Sequence, residues 1–182
     1  MNVFDAIVNR KSIRSYTGEP PTAEELEKIL AAGHCAPIAS AMFDTNHLTV
    51  ITNKELLAEI DAAFGAYVGK PDVHPLYNAP VFVLVSEKYE NENAAREDWL
   101  NVICSDAAII VQNMALEAVE LGVGTCHIWG AVRGINADPA LLSKLGIPEG
   151  FRPVCGVIFG KSDVAYEPRE VRRDKFAVHR IE

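Results

Sequence analysis

Arg10, Ser12 and Arg14 alternate along seven residues, RKSIRSY, close to the start of the chain. If that segment is extended, all three side chains project to one side and a single ligand can meet them together. Guanidinium groups grip phosphate through paired, charge-assisted hydrogen bonds, and a serine hydroxyl adds a neutral donor or acceptor. The same residues also fit a solvated basic helix end, where cations offset the helix dipole. A second candidate is VGTCHIWG, bracketed by Gly122, Gly124 and Gly130. Glycines there permit tight turns and close backbone approach to a flat ligand. The backbone of Cys126 to Gly130 then meets a ring edge and Trp129 offers an aromatic surface; the alternative is a helix cap and strand start with Trp129 in the core. GVGTCH is not a dinucleotide fingerprint, because the third glycine is missing and no helix is expected to follow. Further cations, Arg169, Arg172, Arg173 and Lys175, cluster near the end.

Other chemistry-bearing residues carry less. His34, His47, His74, His127 and His179 share no metal-site spacing, no Ser or Cys stands in a nucleophile elbow, and each histidine reads as an ordinary polar residue. Asp98, Asp106 and Glu117 lie on or beside one long apolar segment and read as solvated or capping groups. Cys35, Cys104, Cys126 and Cys155 are scattered without a CxxC pair, which predicts buried free thiols and no metal.

The elements that must position these residues follow from periodicity. Val3 to Asn9 predicts a short helix after an Asn2 cap. Thr22 and Glu25 form a capping box that opens a helix carrying Leu26, Ile29 and Leu30, with Gly33 as its stop. Leu48 to Thr52 is β-branched and short, hence a strand; a helix from Lys54 to about Tyr67 follows. Pro71 to Pro80 is a loop, and Val81 to Ser86 an apolar strand covered on both faces. Trp99 to Leu121 is apolar almost all round and stopped by Gly122, a buried spine helix. Asp138 to Leu145 reads as a helix with Pro139 at its first position, and Val154 to Phe159 as another buried strand. From Ser162 onward the chain is polar and aperiodic; its final FAVHRI fits a strand or an arm reaching another subunit.

A length of 182 residues is enough for one domain with a sizeable core. A net charge of −8 argues against nucleic acid, whose affinity needs clustered cations, but leaves room for one small anion. No apolar run of about 18 residues and no signal-like start are apparent, so a soluble cytoplasmic protein without membrane contact is expected.

Taken in order, several pieces resemble the nitroreductase family over nearly the whole chain. They are RKSIRSY at 10–16, Ala36-Pro37 after a helix, HLTVI at 47–51, NAP before VFVLV, QNMALEAVELGVGTC leading into HIWG, and LGIPEGFRPVCGVIFGK before a basic tail. The resemblance implies an α+β fold with a mostly antiparallel central sheet flanked by helices, forming an intertwined homodimer whose C-terminal arms exchange. It implies flavin mononucleotide (FMN) between subunits and NADH or NADPH as electron donor to a small electron-poor acceptor of the nitroaromatic, quinone or enone class. Arg10, Lys11 and Ser12 would hold the FMN phosphate and ribityl chain, helped by Arg172 or Arg173. Arg14 would face the pyrimidine edge as the electrostatic catalytic residue, and His127, Ile128, Trp129 and Gly130 would lie beside flavin N5. Pro37, Ile38, Ala39 and Ser40 match a further cofactor-contacting stretch. There the family usually has small hydroxyl residues and an Asn, whereas this chain has APIASAM, with Ser40 as the remaining hydroxyl. That departure keeps open a non-catalytic or sensory flavin-binding dimer, alongside a flavin-destroying or dehalogenating relative on the same fold.

Overall fold

The structure, a computed structural model, describes residues 1–89 and 98–182. Asn2 caps α1 (Val3–Asn9) in a reciprocal capping box with Asp5, and Thr22 does the same with Glu25 for α2 (Ala23–His34). Two short 3-10 turns then lead into β1 (Asn46–Ile51), followed by α3 (Lys54–Val68) with Asn53 as its cap. Next come β2 (Val81–Lys88), the spine helix α4 (Trp99–Glu120) and β3 (Gly124–Ile128). The chain continues through α5 (Gly130–Ala137), α6 (Pro139–Lys144) and β4 (Phe151–Gly160). Residues 161–182 hold no regular helix or strand.

The four strands form one antiparallel sheet in the order β1-β2-β4-β3. Strand β2 shows why VFVLV reads as continuously apolar. Phe82 and Leu84 enter a core with Leu57, Ile60, Ile135 and Ile158 on the α3/α5 side. Val81, Val83 and Val85 enter a second core with Ile29, Ile110, Val111 and Met114 on the α2/α4 side. The strand period of two sends alternate side chains to opposite faces, and both faces are covered by helices.

Helix α4 is long and apolar enough to cross a membrane by length and composition, contrary to the sequence expectation; its most apolar 18-residue window has a mean hydropathy of 1.5. Here its apolar side instead packs under the sheet, with Ile103, Ala107, Val111, Met114, Ala115 and Ala118 wholly buried.

Three local expectations change. Gly33 does not stop α2, which runs to His34; a Cβ on Gly33 would sit 2.9 Å from Met114 Cγ, so the glycine lets α2 approach α4. A helix does follow HIWG: α5 lies so close to α3 that a Cβ on Gly134 would meet the Phe64 backbone nitrogen at 2.6 Å. The four cysteines are free as expected, but only Cys126 is buried: Cys104 and Cys155 are half-buried, and Cys35 is exposed at the end of α2.

Candidate functional site

Helix α1 ends where Arg10 leaves helical geometry, its N–H still donating to the Ala6 carbonyl at 2.9 Å. The next residues run extended beside the sheet, Ile13 N–H donating to the Thr125 carbonyl and Thr17 N–H to that of Lys161. Ile13 is buried, Ser12 half-buried and Arg14 exposed, so the core holds the odd-numbered Ile13 and leaves its even-numbered neighbours on the other side. The segment is non-helical, as expected, with Ser12 and Arg14 flanking the buried Ile13 and Arg10 half-buried.

Burial, and then the charge of the nearby Arg169, lower the Arg10 pKa. Among the described residues no carboxylate pairs with Arg10 and no side-chain hydrogen bond satisfies it. Arg169 is fixed by α1: its Nε donates to the Val8 carbonyl at 3.2 Å and a terminal nitrogen donates to Ile7 at 3.1 Å. The tail is held along the same edge, with the Ser162 hydroxyl donating to Ser15 and the Tyr166 hydroxyl to Val123. Burial pushes the Tyr166 phenol up to about 12. Two guanidinium groups thus share one corner with no carboxylate paired to Arg10 among the described residues. This corner was not legible in sequence, which favoured Arg172 or Arg173; Arg172 pairs with Asp174 at 3.0 Å and Arg173 is exposed. Lys11 is half-buried beside Arg10.

Strand β3 delivers the second group. Cys126 and Ile128 face the core, while His127 and Trp129 are exposed. Crowding of the His127 ring by the protein, and then the Arg10 charge, lower its pKa, which favours the neutral imidazole. Arg14, His127, Ile128, Trp129 and Gly130 line one cavity of about 300 Å³ with Phe64, His74 and Tyr77. The Arg14 guanidinium lies 5.8 Å from the Tyr77 ring centre. Trp129 therefore belongs to a cavity wall, not to the core, and the exposed β3 end and the arginine segment meet as the sequence suggested.

Pro37, Ile38, Ala39 and Ser40 lie elsewhere in the same chain. Ile38 borders a separate cavity of about 370 Å³ with Leu30, Phe43 and His47, and the segment contributes nothing to the Arg14 cavity. Ser40 and Ala41 adopt left-handed backbone angles, φ 54° and 55°, which cost strain for non-glycine residues. Asp106 of α4 offsets it: both carboxylate oxygens accept the Ala39 N–H at 3.2 Å. Burial raises the Asp106 pKa even though that hydrogen bond lowers it. Nearby Glu87 is fully buried without a hydrogen-bond partner among the described residues, and burial followed by the charge of Asp106 pushes its carboxyl up to about 8. Among the described residues no group of three His, Cys, Asp or Glu is placed to hold a metal.

The nitroreductase family model matches residues 7–161, which include the arginine segment, the β3 corner and the whole sheet. The chain belongs to the nitroreductase family. It is 31% identical over 173 residues to the FMN reductase (NAD(P)H) of Bacillus subtilis strain 168, a match covering 87% of this chain and 65% of that one. The chain thus spans slightly less than two thirds of that relative's length. A crystal structure of a family nitroreductase with bound FMN from Bacteroides fragilis superposes with a TM-score of 0.80 at 26% identity, over 99% of this chain and 100% of that one. A second, from Desulfitobacterium hafniense, gives 0.82 at 23% identity with the same coverage. These structures share the α+β arrangement of one antiparallel sheet between helices.

Proposed function

We infer that the protein is an FMN-dependent oxidoreductase in which NAD(P)H and an electron-poor acceptor use one site in turn. The observation that carries this reading is the Arg10–Arg169 corner next to the cavity of Arg14 and Trp129, where half-buried Arg10, with no carboxylate partner among the described residues, lies beside the exposed Arg169 and an anion would balance both charges. The residues fit FMN. Arg10, with Arg169 and Lys11 beside it, would bind the phosphate, and the Ser12 hydroxyl, which makes no hydrogen bond among the described residues, would meet the ribityl chain. Arg14 would stabilise negative charge at the pyrimidine edge, and the backbone of His127 to Gly130 would lie along the ring. Bound there, FMN would supply the two-electron chemistry that links oxidation of NADH or NADPH to reduction of a nitroaromatic, quinone or enone.

The same reading makes the 182 residues one domain of a cytoplasmic homodimer. Val3, Phe4 and Ile7 of α1 and Phe176, Val178 and Ile181 of the tail are exposed apolar residues that a second copy would cover, with exchange of the C-terminal arms. Pro37 to Ser40 of the second copy would then complete the cofactor site, with Arg172 or Arg173 of the arms adding to the phosphate corner.

The test is the visible spectrum of protein incubated with FMN and freed of excess, then given NADH or NADPH without oxygen. Retained bands that bleach are expected. Bands that persist with both nucleotides would favour the non-catalytic flavin-binding dimer, and colourless protein would overturn the reading. Arg14→Ala is expected to slow bleaching about tenfold, less than a buried donor would because Arg14 is exposed, with little loss of fold stability. An unchanged bleaching rate removes the role given to Arg14.

A further inference from the structure

The wall of the Arg14 cavity contains a pair that the hydride cycle leaves unused. His74 and Asp61 are thirteen residues apart, one on the loop before β2 and the other on α3, and His74 Nδ1 lies 3.0 Å from Asp61 Oδ2. Asp61 is buried and held: its other oxygen accepts the Leu76 N–H at 2.8 Å. The His74 side chain is 58% exposed and borders the cavity of Arg14, Tyr77 and Trp129. A carboxylate fixed against Nδ1 keeps a proton on that nitrogen and sets the ring's orientation, leaving Nε2 free for exchange with a ligand.

We propose that His74, oriented by Asp61, is the proton donor to the acceptor in this cavity. The inference rests on the function proposed above. Overall, NAD(P)H is oxidised to NAD(P)⁺, and a quinone gains a hydride equivalent and one proton to become a hydroquinone. The proton is the one on Nε2 of the imidazolium; the ring keeps its Nδ1 proton on Asp61 and regains the other from water. The charged and titratable groups facing His74 are Asp61 and Lys54 from α3, Tyr77 of its own loop, and Arg14 and His127 across the cavity. The His127 ring is held below the ordinary histidine range, so its titration falls at lower pH.

His74→Gln keeps a donor for Asp61 but carries no transferable proton. In flavin-loaded protein it is expected to leave FMN retention and anaerobic bleaching within about twofold, and to slow reoxidation by 1,4-benzoquinone at pH 7 about tenfold or more. Reoxidation by ferricyanide, which takes single electrons and no proton, should be unchanged. Independently of turnover, ¹⁵N NMR should find His74 protonated on Nδ1 at high pH, and on Nε2 in Asp61→Asn, whose amide turns a donor toward the ring. Equal slowing with both oxidants, no slowing with benzoquinone, or an Nε2 tautomer in the wild type overturns the proposal while leaving the flavin reading intact. Colourless wild-type protein overturns both.

Discussion

Arg10→Ala is expected to weaken FMN binding about 10- to 100-fold and to leave the melting temperature of the flavin-free protein no lower than wild type. The two halves of this result have one cause. In the free protein the Arg10 guanidinium is half-buried, faces Arg169, and has no carboxylate partner among the described residues, so burial and repulsion both oppose its charge. Arginine cannot escape by losing its proton at neutral pH. Removing the side chain relieves that cost while giving up packing of the aliphatic stem, and the two roughly cancel. A phosphate placed between the guanidinium groups converts the repulsion into charge-assisted hydrogen bonds, each contributing about 1.5–3 kcal/mol, which sets the expected loss. Flavin titration of wild type and variant at low and high salt checks this, and the gap should narrow with salt because part of it is Coulombic. Equal FMN affinity in the two proteins would show that the corner serves another purpose.

Much of this site was legible from local pattern, because its parts sit at the ends of strongly patterned elements. The Asn2 and Thr22 caps, the VFVLV strand and the apolar α4 each carry a periodicity that tertiary contacts then use unchanged. The β-branched HLTVI and the alternating Arg10, Ser12 and Arg14 likewise kept the conformation their types favour. What sequence could not supply is proximity between distant residues. Arg169 reaches Arg10 because its own side chain caps the carbonyls of α1, and no spacing within the basic tail distinguishes it from Arg172 or Arg173. Helix α5 was hidden because Gly130 and Gly134 lower helical propensity; their reason is the contact with Phe64, which only the packed structure contains. His74 and Asp61 meet across a loop and a helix, so they looked like unrelated polar residues. Pro37 to Ser40 lie away from the Arg14 cavity of the same chain, a separation that local pattern does not reveal.

Glu87→Gln is expected to match the wild type in melting temperature near pH 4 and to exceed it by at least about 5 °C at pH 8.5. Glu87 lies at the end of β2, where register with Arg152 of β4 carries it inward, wholly buried and without a hydrogen-bond partner among the described residues. Its carboxyl is pushed up to about 8 from an ordinary value of 4.5, by burial first and the charge of Asp106 second. Below about pH 4.5 it is protonated in both the folded and the unfolded chain, and the fold keeps its full stability. Between 4.5 and 8 the unfolded chain releases the proton while the folded chain retains it, so stability falls as pH rises; above 8 the loss is complete. Each unit of displacement is about 1.4 kcal/mol, which makes the loss a few kcal/mol, or several degrees for a chain of this size. Glutamine has nearly the same shape and no proton to lose, so its curve should stay flat where the wild-type curve declines. Parallel curves would mean that Glu87 titrates normally in the folded protein. The consequence reaches the loop, because Asp106, the charge that Glu87 must tolerate, is also the residue that holds the Ala39 N–H. Ionising both carboxylates sets like charges against each other beneath the left-handed turn at Ser40 and Ala41. The alkaline loss of stability should therefore begin in residues 37–42, detected as faster amide exchange there than in the Ile13–Thr125 pairing at the Arg10 corner.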